Sequence, residues 1–253
     1  MTESATTQQQ KQFKILLIGD DCKDIYQYGT IDRLSPEAPV PVFVPTYTEE
    51  RDGMAGNVAN NLEALGCHVN YLHGETSTKT RIVDARSKQQ IVRIDNDIQS
   101  QPLEFMTAIP NVYDAVVVSD YNKGTVSYEL IEELIELSIP IFIDTKKTDL
   151  ERMQGAWVKI NDLEYSKITS ECSGLIVTHG ANGASVLHHD ITCSAPNVEV
   201  ADVTGAGDTF LAALVYNYLH TKDIKLAVDF AILASSVTVQ HFGCYAPTME
   251  EIL

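Results

Sequence analysis

The chain has 253 residues, 44% hydrophobic and 21% charged, which is enough apolar material to bury a substantial core and too much for a disordered chain. Its 35 acidic and 18 basic residues leave a formal charge of -17, which speaks against a nucleic-acid partner and against attraction to an anionic membrane surface. Five scattered cysteines without a Cys-x-x-Cys pair read as reduced thiols; with no signal-peptide pattern and no apolar run of membrane-spanning length, a cytoplasmic protein is expected.

Residues 1–12 form a polar tail, expected to be disordered, and residues 13–253 are expected to make one domain. A first apolar run, Lys14 to Ile18, ends in Gly19-Asp20-Asp21. Val40 to Val44 reads as part of a small β-layer, and Asn57 to Leu65 as an amphipathic helix. Thr80 to Ala85 and Gln90 to Asp95 read as a hairpin turning near Ser87, so that β-lid elements are expected at about 38–46 and 78–95. The hairpin carries Lys79, Arg81, Arg86, Lys88 and Arg93, a local attractor for anions in an acidic chain. Apolar strands follow at Ala115 to Val118, Ile139 to Ile143, Trp157 to Ile160 and Leu175 to Val177, with helices at Ser127 to Leu137, Thr209 to Leu219 and Lys225 to Gln240. Alternation of this kind predicts an α/β fold with a mostly parallel sheet. The strands run out into polar residues, at Gly19-Asp20-Asp21, Ser119-Asp120, Asp144, Asn161 and Thr178-His179, and ligands of open α/β sheets bind at such carboxyl ends.

The strongest local signal is Asp202-Val203-Thr204-Gly205-Ala206-Gly207-Asp208-Thr209, directly before an apolar helix. Gly205, Ala206 and Gly207 let a polyphosphate approach the backbone, where amides at a helix start stabilise anionic oxygens. Asp208 is placed to accept a proton from a hydroxyl lying beside those phosphates, a layout suited to phosphoryl transfer. Read alone, the same residues also suit a tight turn with Asp208 as a helix cap. As a carboxylate in an ordinary setting, Asp208 is expected to titrate near ~3.9.

The full string resembles the DxTGAGD motif of the ribokinase-like, PfkB-type carbohydrate kinases. The rest of the chain resembles the D-glycero-β-D-manno-heptose-7-phosphate kinase branch of that family. The likeness lies in Gly19-Asp20 through Asp24, Arg33 to Val42, Glu50-Arg51-x-Gly53-x-Ala55-x-Asn57, Thr78-Lys79-x-Arg81, Ser119-Asp120-Tyr121-x-Lys123-Gly124, Asn161-x-x-Glu164, and Thr178 with Gly183. The resemblance implies a three-layer ribokinase-like sandwich with a small β lid, and ATP-dependent phosphorylation of the anomeric hydroxyl of a heptose 7-phosphate. It makes Asp208 the base and Gly205, Ala206 and Gly207 the anion hole. Asn161, Glu164, Thr178, Gly183 and Thr204 would face ATP and Mg²⁺, with no direct protein ligation of the metal. Asp20, Asp24, Gly53 and Asn57 would meet sugar hydroxyls, and Arg51, Lys79, Arg81 and Lys146 are candidates by charge for the phosphate already on the substrate. A monovalent cation such as K⁺ near Asp202, known in the wider family, is left open, and an exposed lid edge would suit a homodimer.

Several positions depart from the pattern. Met54 replaces the second glycine of a Gly-Gly pair, and Ile232 replaces an asparagine expected near the adenine pocket. Gaps fall after Gly74 and after Glu164, removing a helix and strand at the first and a helix at the second. No nucleotidyltransferase half follows, so a second activity is expected from another chain. Met54 and the shortened lid side favour a kinase for another sugar or nucleoside as the alternative. The gaps and Ile232 favour a catalytically weak protein that binds a sugar phosphate or nucleotide; ADP production separates the two.

Overall fold

The computed structural model describes residues 12–104 and 112–253, so the expected polar tail, except Gln12, lies outside the described residues. One sheet of ten strands runs through the molecule in the order β10-β9-β8-β7-β6-β5-β1-β3-β4, with β2 paired to β1. The strands are β1 (Lys14–Leu34), β2 (Pro41–Met54), β3 (His68–Asp84), β4 (Gln90–Asn96), β5 (Ala115–Asp120), β6 (Ile141–Thr145), β7 (Trp157–Asn161), β8 (Leu175–Thr178), β9 (Ala184–Val186) and β10 (Ile191–Cys193). The helices are α1 (Ala55–Ala64), α2 (Tyr128–Ile135), α3 (Asp162–Tyr165), α4 (Ala206–Thr221), α5 (Ile224–Thr238) and α6 (Met249–Ile252). Strands β1, β3, β5, β6, β7 and β8 are parallel where they pair with one another, whereas β2, β4, β9 and β10 join antiparallel.

Alternation along each strand divides two apolar layers. Ile15, Leu17, Val117 and Phe142 pack with α1, α4 and α5 on one face. Leu16, Ile18, Val118, Ile143 and Ile160 pack with α2 and a 3-10 turn at Leu150–Met153 on the other. After α3 the chain reaches β8 without a further helix.

The main correction concerns the first strand. The expected end at Gly19-Asp20-Asp21 is no end: β1 continues to Leu34, and β3 likewise passes from the core into the lid. The two strands shift register between Gly19 and Asp21, where Gly74 and Glu75 of β3 stand opposite the single residue Asp20. Gly19 permits this close passage, because a Cβ there would collide with the Ser119 carbonyl and the Ala55 side chain. The lid is therefore the far half of β1 and β3 with β2 and β4, and its hairpin turns at Asp84 to Gln89 as expected.

Candidate active site

The carboxyl ends of β5, β6 and β7 converge on the start of α4. Gly205 takes a left-handed conformation (φ 80) as the N-cap and no side chain caps this helix; the Ala206 amide donates to the Val203 carbonyl (3.3 Å), which leaves those of Gly207 and Asp208 for an outside acceptor. Glycine is required at Gly205, since a Cβ would lie 2.8 Å from Asn57 Nδ2. The loop before it is tied by Asp202. Its Oδ1 accepts from Thr204 N (3.0 Å) and Thr204 Oγ1 (2.8 Å), and its Oδ2 from Gly243 N (2.9 Å). Burial opposes the charge on Asp202, but these hydrogen bonds outweigh it and hold the carboxyl below its ordinary range. Thr204 thus works in this turn.

Asp208 is buried in the first turn of α4. Asn57 Nδ2 donates to its Oδ2 at 2.8 Å and Tyr121 Oη to its Oδ1 at 2.9 Å. Asn57 is seated in turn by Asn61, whose Nδ2 donates to the Asn57 carbonyl (2.8 Å) and whose Oδ1 accepts from Thr209 Oγ1 (2.8 Å). Burial pushes the Asp208 carboxyl up to about 6, against the ordinary value expected from the sequence; the Asp144 carboxylate adds to the rise and the two hydrogen bonds and Lys159 oppose it. Lys159, also buried, sits 2.7 Å from Asp144 Oδ2 and beneath Gly207, where a Cβ would lie 2.9 Å from its Nζ. Burial disfavours its charge, yet Asp144 more than compensates and raises it above the ordinary lysine value.

Asn161 and Glu164 form a reciprocal capping box on α3: Glu164 N donates to Asn161 Oδ1 and Asn161 N to Glu164 Oε2, both at 2.9 Å. The Glu164 carboxyl is raised, first by burial and further by Asp144. A half-buried carboxylate destabilised in this way fits a nearby cation held through water, which is how Mg²⁺ is commonly bound beside phosphates. Among the described residues, no group of three or more His, Cys, Asp or Glu side chains is arranged to ligate a metal. Thr178 and Gly183 line a cavity of about 400 Å³ that also includes Ala206, Gly207 and Ile232. Gly183 has φ 94, and a Cβ there would strike the Cys193 carbonyl.

On the lid side, Asp24 pairs with Arg81 (Oδ1 to Nη1, 2.5 Å) and abuts Gly53, where a Cβ would lie 2.7 Å from Asp24 Oδ2. Arg51 and Arg81 both lie against the Tyr26 ring, 5.1 and 5.0 Å from its centroid, and Arg51 Nη1 also donates to the Phe242 carbonyl at 3.0 Å. Lys146 and Lys79 approach the Tyr121 ring, at 4.8 and 6.0 Å. Asp20 is engaged by three backbone amides, of Tyr121 (2.8 Å), Lys123 (2.9 Å) and Thr125 (3.2 Å), with which a sugar hydroxyl would have to compete. Cys244, between Asp24 and Gly205, has its thiol pushed up to about 12 by burial and the neighbouring carboxylates. Tyr121, Lys159 and Asn61 had no role in the sequence reading. Tyr121 stood in the Ser119-Asp120-Tyr121 match, but its contact with Asp208 spans 87 residues and no local pattern announces it.

The sequence profile described as pfkB family carbohydrate kinase matches residues 59–252. A bifunctional protein HldE from Nitratiruptor sp. is 35% identical over 299 residues, covering 94% of this chain and 64% of the relative. The chain thus spans under two thirds of that relative, and the alignment exceeds the 253 residues of the chain, so the relative carries segments absent here. Among solved structures, ribokinase from Thermotoga maritima superposes with a TM-score of 0.69 at 16% identity, covering 95% of this chain and 98% of that one. Ribokinase from Arabidopsis thaliana, solved with ribose and ATP, gives 0.69 at 15% identity, covering 96% and 98%. At such identities the likeness establishes the ribokinase-like fold alone.

Proposed function

The chain belongs to the pfkB family of carbohydrate kinases, and from that membership we propose that it moves the γ-phosphoryl group of ATP onto the anomeric hydroxyl of a D-glycero-D-manno-heptose 7-phosphate. The observation that carries the reading is Asp208, buried beside the uncapped start of α4 with both carboxylate oxygens oriented by Asn57 and Tyr121. The heptose is supported by the residues that resemble the heptose-7-phosphate kinase branch, the Arg33 to Val42 block foremost, and by the 35% identity to HldE.

The acceptor hydroxyl enters between Asp208 and the first-turn amides of α4. Its oxygen forms a bond to the γ-phosphorus while the bond from that phosphorus to the bridging oxygen of ADP breaks, and the hydroxyl proton passes to Asp208. The transition state is loose, so positioning and charge neutralisation supply most of the acceleration. The amides at Gly207 and Asp208, with Lys159 beneath them, neutralise charge on the transferring group. Mg²⁺, when held by the phosphates and through water at Glu164, supplies further neutralisation of the phosphate oxygens. Arg81 is engaged by Asp24 and Arg51 by the Phe242 carbonyl. Lys79 and Lys146, both against Tyr121, are therefore the cations we assign to the phosphate on the substrate. The apolar side chains exposed on the lid suit a second copy of the chain, and the five unpaired thiols suit the reducing cytoplasm.

Met54 favours a second reading, a kinase for another sugar or nucleoside: it sits buried at the N-cap of α1 with φ 49, a conformation glycine adopts without strain. Coupled ADP release with Mg·ATP and a panel of heptoses, hexoses, pentoses and nucleosides, with and without a terminal phosphate, decides between them. Turnover confined to heptose 7-phosphate is expected; turnover on another acceptor keeps the kinase and discards the heptose. Binding of ATP without turnover on any acceptor would overturn the catalytic assignment of Asp208.

A further inference from the structure

The cavity that opens from Ala206 and Gly207 is lined mostly by apolar residues, and among the described residues its polar side chains are Thr178, Asn197, Ser235 and Ser236. Phe210, Ile232 and Val239 line it together with Val198, Val200 and Val203. Val200 and Val203 are 55% and 70% exposed, apolar surface presented to whatever enters. Two hydroxyls stand on the α5 wall, and both are turned into the helix. Ser235 Oγ donates to the Ala231 carbonyl (2.9 Å), with the Ala206 carbonyl at 3.1 Å, and Ser236 Oγ donates to the Ile232 carbonyl at 2.8 Å. Of the other polar lining residues, Thr178 Oγ1 points to the Ile160 carbonyl at 3.4 Å and Asn197 is exposed, with nothing that fixes its amide opposite a ring.

Such a pocket holds a flat ring by dispersion and by exclusion of water, interactions that every purine offers equally. Telling a 6-amino from a 6-oxo purine takes a fixed donor or acceptor opposite that position. Sites that hydrogen-bond the distinguishing group reject its absence by roughly 10⁴–10⁵, whereas apolar pockets discriminate by shape at roughly 10–200-fold. We infer that this chain takes purine nucleotides as a class, with ATP, GTP and ITP as phosphoryl donors of similar quality, and that Ile232 determines this breadth by presenting hydrocarbon to the base. The inference rests on the kinase reading above and adds the donor class to it.

Binding needs no knowledge of the acceptor sugar, so the test uses nucleoside diphosphates with Mg²⁺ displacing a fluorescent N-methylanthraniloyl ADP from the whole chain. ADP, GDP and IDP are expected to displace it with dissociation constants within about tenfold of one another, and CDP, with its smaller ring, at least about tenfold more weakly. ADP binding more than about 100-fold tighter than both GDP and IDP would overturn the inference, since some group would then be reading the base edge. Failure of every nucleotide to displace the probe would remove the kinase reading and the inference with it, a result distinct from the selective one. In Ile232→Ala, loss of wall contact is expected to weaken ADP, GDP and IDP by the same factor, a few-fold to tenfold. Weakening of ADP alone would count equally against the proposal.

Discussion

Burial and the nearby Asp144 carboxylate lift the Asp208 carboxyl to about 6, while Asn57, Tyr121 and Lys159 hold it from rising further. The proton acceptor is the ionised form, so turnover should climb with pH through an acid limb near 6. Tyr121→Phe removes a donor to the charged carboxylate. The limb should then move to higher pH, with a larger loss of kcat at pH 6 than at pH 8; an unmoved limb in a less active variant would reduce Tyr121 to packing. Asp208→Asn should lower kcat by ~10²–10⁴. The same residue gives a stability prediction. A carboxyl that titrates near 3.8 when unfolded and about 6 when folded binds its proton more tightly in the native state. Stability from this group is complete below pH 3.8 and is lost as pH rises to 6, a difference on the order of 3 kcal/mol. Asp208→Asn does not titrate, so its melting temperature relative to wild type should improve by a few degrees between pH 4 and pH 7 in scanning calorimetry. The Asp202 to Asp208 string was legible because its chemistry is local: small residues, a helix start and a carboxylate within one turn. Lys159 was not, because a lysine in an apolar strand becomes a site group only when β6 sets Asp144 beside it.

At the level of elements, α3 is four residues long and owes its form to the exchange between Asn161 and Glu164. Asn161→Ala removes the acceptor for the Glu164 amide while keeping the backbone N–H that donates to Glu164 Oε2, and should cost about 0.5–2 kcal/mol in urea denaturation while raising the KM for Mg·ATP. Glu164→Gln keeps an acceptor for the Asn161 amide but not the charge, so stability should hold while the KM for Mg·ATP rises several-fold. Equal losses of stability in the two variants would make the box structural only. Runs of β-branched residues located the core strands, and amphipathic spacing located α1, α2, α4 and α5, to within a few residues. The length of β1 was not anticipated, since Gly19-Asp20-Asp21 interrupts the apolar run and punctuation of that kind normally ends a strand. A second pattern lay beyond it: Cys22, Asp24, Tyr26 and Tyr28 alternate as buried positions along the lid half. That alternation includes a charged residue, buried only because Arg81 of β3 neutralises it, a partner visible only once the strands are paired.

The molecule as a whole leaves Leu34, Val40, Val44, Val92 and Ile94 of the lid region exposed. Covering them with a second copy would give twice the chain mass of 27.9 kDa in light scattering, and Ile94→Lys should return single chains with the nucleotide site unaltered. A wild-type chain that runs as a monomer at micromolar concentration would remove the lid as an assembly surface. The continuity of β1 and β3 bears on movement as well as on assembly. Two strands that cross from core to lid without a break offer no loosely jointed linker on which the lid could swing. The one irregularity in their pairing lies at Gly19 to Asp21 opposite Gly74 and Glu75. Asp20, inside that irregularity, grips the amides of Tyr121, Lys123 and Thr125. A tilt of the lid would pivot where the chain is tied to Tyr121, and Tyr121 is in turn hydrogen-bonded to Asp208. A displacement of the lid about this point would be carried to Asp208 by way of Asp20 and Tyr121, a route separate from any direct contact with a ligand.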